Sequence, residues 1–138
     1  MASQSAKAFQ AFMEAKDFKV SILDDEARAI RVSYNLDVTD IDIAVFFGED
    51  DKNVHIKGVN FVKVPADKQD IIYKICNQCN SDFRWSKFIW NEEHECVEVE
   101  ADAIIEPNSC AEECFEIIMR LCGIVKEAYP TIMKALWG

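Results

Sequence analysis

Ile30-Arg-Val-Ser-Tyr-Asn-Leu-Asp-Val-Thr-Asp-Ile-Asp-Ile-Ala-Val-Phe-Phe47 decides the fold class. Ile30, Val32, Tyr34 and Leu36 alternate with Arg31, Ser33 and Asn35, and Ile41, Ile43, Val45 and Phe47 alternate with Asp40, Asp42, Ala44 and Phe46. Successive strand residues point to opposite faces, so this period of two marks two strands of a sheet with one buried face. Upstream, Val20, Ile22 and Leu23 form a shorter run closed by Asp24-Asp-Glu26. Downstream, Gly48-Glu-Asp-Asp-Lys-Asn53 supplies a turn into another strand over residues 54–64, bulged at Gly58.

Helical spacing brackets these strands. Residues 5–16 place Ala8, Phe9, Phe12, Met13 and Ala15 on one stripe, with Ser3 or Ser5 placed to cap it. Pro65 suits the first turn of a second helix, whose stripe is Ile71, Ile72, Ile75, Cys76 and Cys79. Residues 84–90 and 96–105 read as a hairpin closed by residues 91–95. Ser109-Cys-Ala-Glu112 has the form of a capping box opening a long helix, with Cys114, Ile117, Ile118, Leu121, Cys122 and Val125 on its stripe. Pro130 is expected to interrupt that helix before Ile132, Met133, Leu136 and Trp137. The predicted order is α-β-β-β-β-α-β-β-α. It implies an α+β fold over residues 1–138, an antiparallel sheet with helices packed on one face.

Half of the 138 residues are hydrophobic and 29% are charged, which is enough apolar material for one domain with its own core. The net charge of −10 opposes binding to phosphate backbones and to anionic membrane surfaces, so neither nucleic acid nor membrane is an expected partner. The start, Met1-Ala-Ser-Gln-Ser-Ala-Lys7, has no apolar signal region, and no run of 18 apolar residues follows. A cytoplasmic protein with six reduced cysteines is the expectation.

Several motifs then stand out together. Asn77-Gln-Cys-Asn80, Phe83-Arg-Trp-Ser-Lys-Phe88, the acidic hairpin tip, Val97-Glu-Val-Glu-Ala-Asp102 and Ala128-Tyr-Pro-Thr-Ile-Met-Lys-Ala-Leu-Trp137 resemble the bacterial YbjN-domain family. The resemblance spans roughly residues 5–137 and is carried by the motifs from Val64 onward. That family is described as sensory-transduction regulators, with a fold similar to type III secretion chaperones. The resemblance implies a small protein-binding module that pairs with itself; it carries no catalytic signature and does not name the client.

Cys76-Asn-Gln-Cys79 has the spacing of half a zinc site or of a redox pair. His94 and Cys96 lie at the hairpin tip, about seven strand residues and more than roughly 20 Å away, and cannot complete it. Cys110 and Cys114, one turn apart on the last helix, are geometrically permitted. A metal- or redox-linked sensor using Cys76, Cys79, Cys110 and Cys114 is therefore the alternative reading. Cys76, Cys79 and Cys114 also fall on apolar stripes, where free cysteine acts as a small hydrophobe, and no cofactor is expected. His55 and His94 have no nucleophile placed beside them by any motif. Glu98, Glu100 and Asp102 project from one strand face, suited to a cation, a basic partner or plain solvent. No enzyme is predicted.

The aromatic residues say more. Phe88 and Trp90 point opposite to Trp85 and Ile89, and Phe46 opposite to Phe47, so a sheet with helices on one side is left with rings needing a second cover. Either the carboxy-terminal segment with Trp137 folds over them, or Phe46, Phe88 and Trp90 form a protein-binding or dimerisation surface, because aromatic anchors dominate interfaces. The expected function is a non-enzymatic, chaperone-like or regulatory adaptor, homodimeric, with a protein client.

Overall fold

The alternating stretches become six strands of one antiparallel sheet in the computed structural model, which describes residues 3–138. Met1 and Ala2 of the amino-terminal reading lie outside the described residues. The elements run α1 (Gln4–Ala15), β1 (Val20–Ile22), β2 (Ala29–Asn35), β3 (Asp40–Phe47), β4 (Asn53–Lys63), a 3₁₀ turn (Ala66–Lys68), α2 (Gln69–Asp82), β5 (Lys87–Asn91), β6 (Cys96–Ile104) and α3 (Cys110–Trp137). The sheet order is β1-β2-β3-β4-β6-β5. The first four strands form a meander, and the β5–β6 hairpin joins it through β6, which pairs with β4. The predicted α+β order and antiparallel sheet are both observed.

One face of the sheet is apolar. Ile30, Val32, Ile41, Ile43, Val45, Phe47, Val54, Ile56, Val97 and Val99 are buried there beneath the helices. α1 contributes Phe9 and Met13, with the Phe9 ring 5.9 Å from Phe47. α3 contributes Ile118, Leu121, Val125, Ile132 and Leu136, a stripe at helical spacing. Gly58 leaves room on this face for the side chains around it: a Cβ there would lie 2.7 Å from Val99 Cγ1 and 2.8 Å from Ile41 Cδ1 on other strands, and 3.2 Å from Leu121 Cδ2 on α3. The predicted irregularity at Gly58 is also present, as a register shift between Gly58 and Val62. Among the described residues, no helix covers the other face of the sheet, and no helix is long and apolar enough to cross a membrane.

Local details depart from expectation for identifiable reasons. Ser3 caps α1, its hydroxyl accepting from the Ala6 N–H at 3.0 Å. The start of that helix is also tied to the β3–β4 turn, where Asp51 accepts from the Ser3 hydroxyl and from the Gln4 N–H. The capping box at α3 does not form. Ser109 donates its hydroxyl to Glu113 Oε1 at 2.7 Å instead of accepting from the helix backbone. Pro65 precedes the 3₁₀ turn in extended conformation rather than sitting inside a first α-turn. Pro130 does not break α3, which runs unbroken for 28 residues. Pro130 and Lys126 are both on the solvent side, where water can satisfy the carbonyl that a proline leaves without its helical donor. β5 starts at Lys87, later than expected, because Trp85 has φ 79° and turns the chain out of the strand.

Candidate interaction surface

The register across β3, β4 and β6 assembles the uncovered face. Phe46 lies opposite His55, which lies opposite Asp102, and Ala44 lies opposite Lys57, which lies opposite Glu100. His55 stacks on Phe46 with ring centroids 6.0 Å apart. Its Nδ1 is 2.7 Å from Asp102 Oδ1 and its Nε2 is 3.7 Å from Glu100 Oε2. Lys57 Nζ reaches Glu98 Oε1 at 2.9 Å, and Asn91 donates to the other oxygen of that carboxylate at 3.1 Å. On β3, Asp42 takes Ser33 at 2.6 Å and the Arg31 guanidinium at 2.8 Å from β2, and Asn60 at 2.7 Å from β4. Burial works to raise the Asp42 pKa, but the hydrogen bonds from Ser33 and Asn60 and the Arg31 charge outweigh it and hold the carboxyl below its usual range.

Between these pairs runs a groove of about 760 Å³. Ala44, Phe46, Val59 and Phe61 give it an apolar floor, and Lys57, Lys63, His94 and Glu98 stand around it. Glu98 is only 3% exposed, far less than expected for a solvent-facing strand position. The cross-strand partner Lys57 allows this burial, since a desolvated carboxylate persists only when paired and hydrogen-bonded.

The three predicted partner-binding residues are not brought together. Phe46, 39% exposed, is on the uncovered face beside the groove, whereas Phe88 at 1% and Trp90 at 8% are in the core beneath the helices. Trp90 donates its indole N–H to the Val64 carbonyl at 3.2 Å and packs edge-on against Tyr73 at 5.7 Å. Alternation along β5 correctly set Phe88 and Trp90 apart from Ile89, but it could not say which set met the helices. Trp137 does not fold over the uncovered face. It lies at the end of α3 with Lys68 Nζ 4.6 Å from its ring.

The cysteines make no site with the other candidates. All six are free and buried. Burial, reinforced by the neighbouring Cys79, pushes Cys76 up to about 12; burial with Cys110 and Glu113 does the same to Cys114, and burial alone to Cys122. Thiols held protonated in this way are poor nucleophiles. Cys110 instead donates to the Ser5 carbonyl at 3.5 Å. Among the described residues, no group of three or more His, Cys, Asp or Glu side chains is arranged to hold a metal ion.

Residues 5–132 match the YbjN family, described as "Putative bacterial sensory transduction regulator". The chain belongs to the YbjN family. Its fold is also similar to the crystal structure of E. coli YbjN, described as "a putative transcription regulator", with a TM-score of 0.64 over 91% of each chain at 8% identity. No curated protein matches. At that identity the likeness to E. coli YbjN is one of fold, while membership rests on the family match. The YbjN description concerns regulation and names no reaction.

Lys57 and Phe61 were missed from sequence as parts of this surface. Alternation from His55 already points to both positions; what it could not show is the pairing of Lys57 with Glu98, which depends on the β4–β6 register.

Proposed function

We propose that this chain is a non-catalytic regulatory module of the cytoplasm that holds a protein partner on its uncovered sheet face, and that a second copy of the chain is such a partner. The observation that carries the reading is the groove at Phe46, with an apolar floor inside a charged surround. Protein interfaces have this anatomy, an apolar centre with a polar rim. The pairs His55–Asp102 and Lys57–Glu98 around it supply orientation more than affinity. The family's regulatory description supports the reading, as does the name given to the E. coli protein. A net charge of −10 favours regulation through protein contact over direct contact with DNA.

Light scattering at micromolar concentration tests the proposal. A dimer is expected, and Phe46→Glu, which places a charge on the groove floor, is expected to yield monomers with an unchanged circular dichroism spectrum. A strict monomer in the parent chain, or a dimer indifferent to Phe46→Glu, would overturn it.

A further inference from the structure

Trp85 is 68% exposed and holds a left-handed backbone conformation, which is unfavourable for a bulky side chain. The conformation has a visible consequence. The β5–β6 ladder ends at Lys87↔Glu100, whereas β6 stays paired with β4 as far as Asn53↔Ile104. Had the chain continued straight, Ser86 would face Ala101 and Trp85 would face Asp102. Instead Ala101–Ile104 lack a neighbour on the β5 side, and a notch of about 240 Å³ opens there, floored by Ala101, Ala103 and Ile117 and walled by Trp85 and Arg120.

The charge at this notch runs against that of the whole molecule. Arg84 and Arg120 place their guanidinium carbons 5.1 Å and 5.2 Å from the Trp85 ring centroid. Arg28 and Arg31 have carboxylate partners, but among the described residues no carboxylate lies within 4.0 Å of Arg84 or Arg120. In a chain with 25 acidic and 15 basic side chains, two guanidinium groups converging on one exposed indole make this notch locally basic. Asp102 also borders the notch, but its carboxylate is engaged by His55.

We propose that the notch binds an extended acidic peptide segment of a partner protein. The segment adds its backbone to β6 alongside Ala101–Ile104, where β5 has left the edge open. One aliphatic side chain fills the cavity over Ala103 and Ile117, and flanking carboxylates pair with Arg84 and Arg120, whose planar donors suit them. A strand edge offers peptide hydrogen bonds that a nucleic acid cannot use, so stacking of a base on Trp85 is the weaker fit. This site is separate from the Phe46 groove.

The test is a titration of the full chain with a fluorescein-labelled peptide of alternating leucine and glutamate, followed by anisotropy and by amide chemical shifts. The same peptide with lysine for glutamate, and a short oligothymidylate, serve as controls. Only the acidic peptide is expected to bind, with the largest shifts at Ala101–Ile104 and the Trp85 indole. Arg84→Glu with Arg120→Glu, both on the surface, is expected to weaken binding by about tenfold or more with core shifts unchanged. Phe46→Glu is expected to leave binding intact, which separates this proposal from the preceding one. Comparable binding of either control, shifts confined elsewhere, or full affinity in the double variant would each overturn it. So would a dimer that the double variant dissociates and the peptide does not displace.

Discussion

Along β3, neighbouring residues live in opposite conditions. Ile41, Ile43, Val45 and Phe47 are almost inaccessible, while Asp42, Ala44 and Phe46 face the side without helices. The first set gains stability by leaving water, at roughly 25 cal/mol per Å² of apolar surface. The second set is organised by cross-strand pairs, each contributing only about 0.2–1 kcal/mol. Stability is therefore concentrated on one face, and the other is free to carry recognition.

Substitutions can break this contrast. The largest effect belongs to Phe9→Ala, which removes a fully buried ring from against Phe47. A loss of about 3–5 kcal/mol in urea unfolding is expected, and a loss below about 1 kcal/mol would mean the helix layer is not the main source of stability. Gly58→Ala comes next, because its methyl would meet Val99 and Ile41 in a filled core. Overpacking is expected to cost about 1–3 kcal/mol, read as a lower melting temperature.

Acid sharpens the contrast from the other face. Asp42 has a folded pKa below its unfolded value, so the unfolded chain binds more protons as the pH drops. Its contribution is present above the unfolded value near 3.9 and is lost as the pH falls through the lower folded one. Asp42→Asn should cost about 1 kcal/mol at neutral pH and flatten the fall in stability below about pH 4, as measured by unfolding at several pH values. Smallest of all, Phe46→Ser should leave stability within about 0.5 kcal/mol of the parent while weakening self-association. A large loss of stability there would mean that the ring belongs to the core.

Much of the architecture was legible because it is written in local periods. The alternation through Ile30–Phe47 and the helical stripe from Cys114 to Val125 each survive in the structure. What could not be read was how separate elements meet. The setting of Phe88 and Trp90 depended on where α2 and α3 lie, and the burial of Glu98 depended on Lys57 across a long-range pairing. Trp85 was misplaced for another reason. Its left-handed turn has no glycine or asparagine to announce it, so alternation was carried one step too far. Nor did the sequence Ser109-Cys-Ala-Glu112 become a cap, because Ser109 found Glu113 one residue beyond. The carboxylate row was located on one face correctly, but its engagement with His55 and Lys57 required the register.

The arrangement in which β6, rather than β5, lies against β4 bears on how the molecule is made. The longest strand, Asn53–Lys63, keeps one bare edge until Cys96–Ile104 has been synthesised. Roughly forty residues must be added in that interval, a matter of seconds for a translating ribosome. During it, a nascent chain exposes an apolar, unpaired ribbon able to join another such ribbon. Messages that stop short of Ile104 would on this basis give insoluble products, and slowing translation after Lys63 would lower the yield of folded protein.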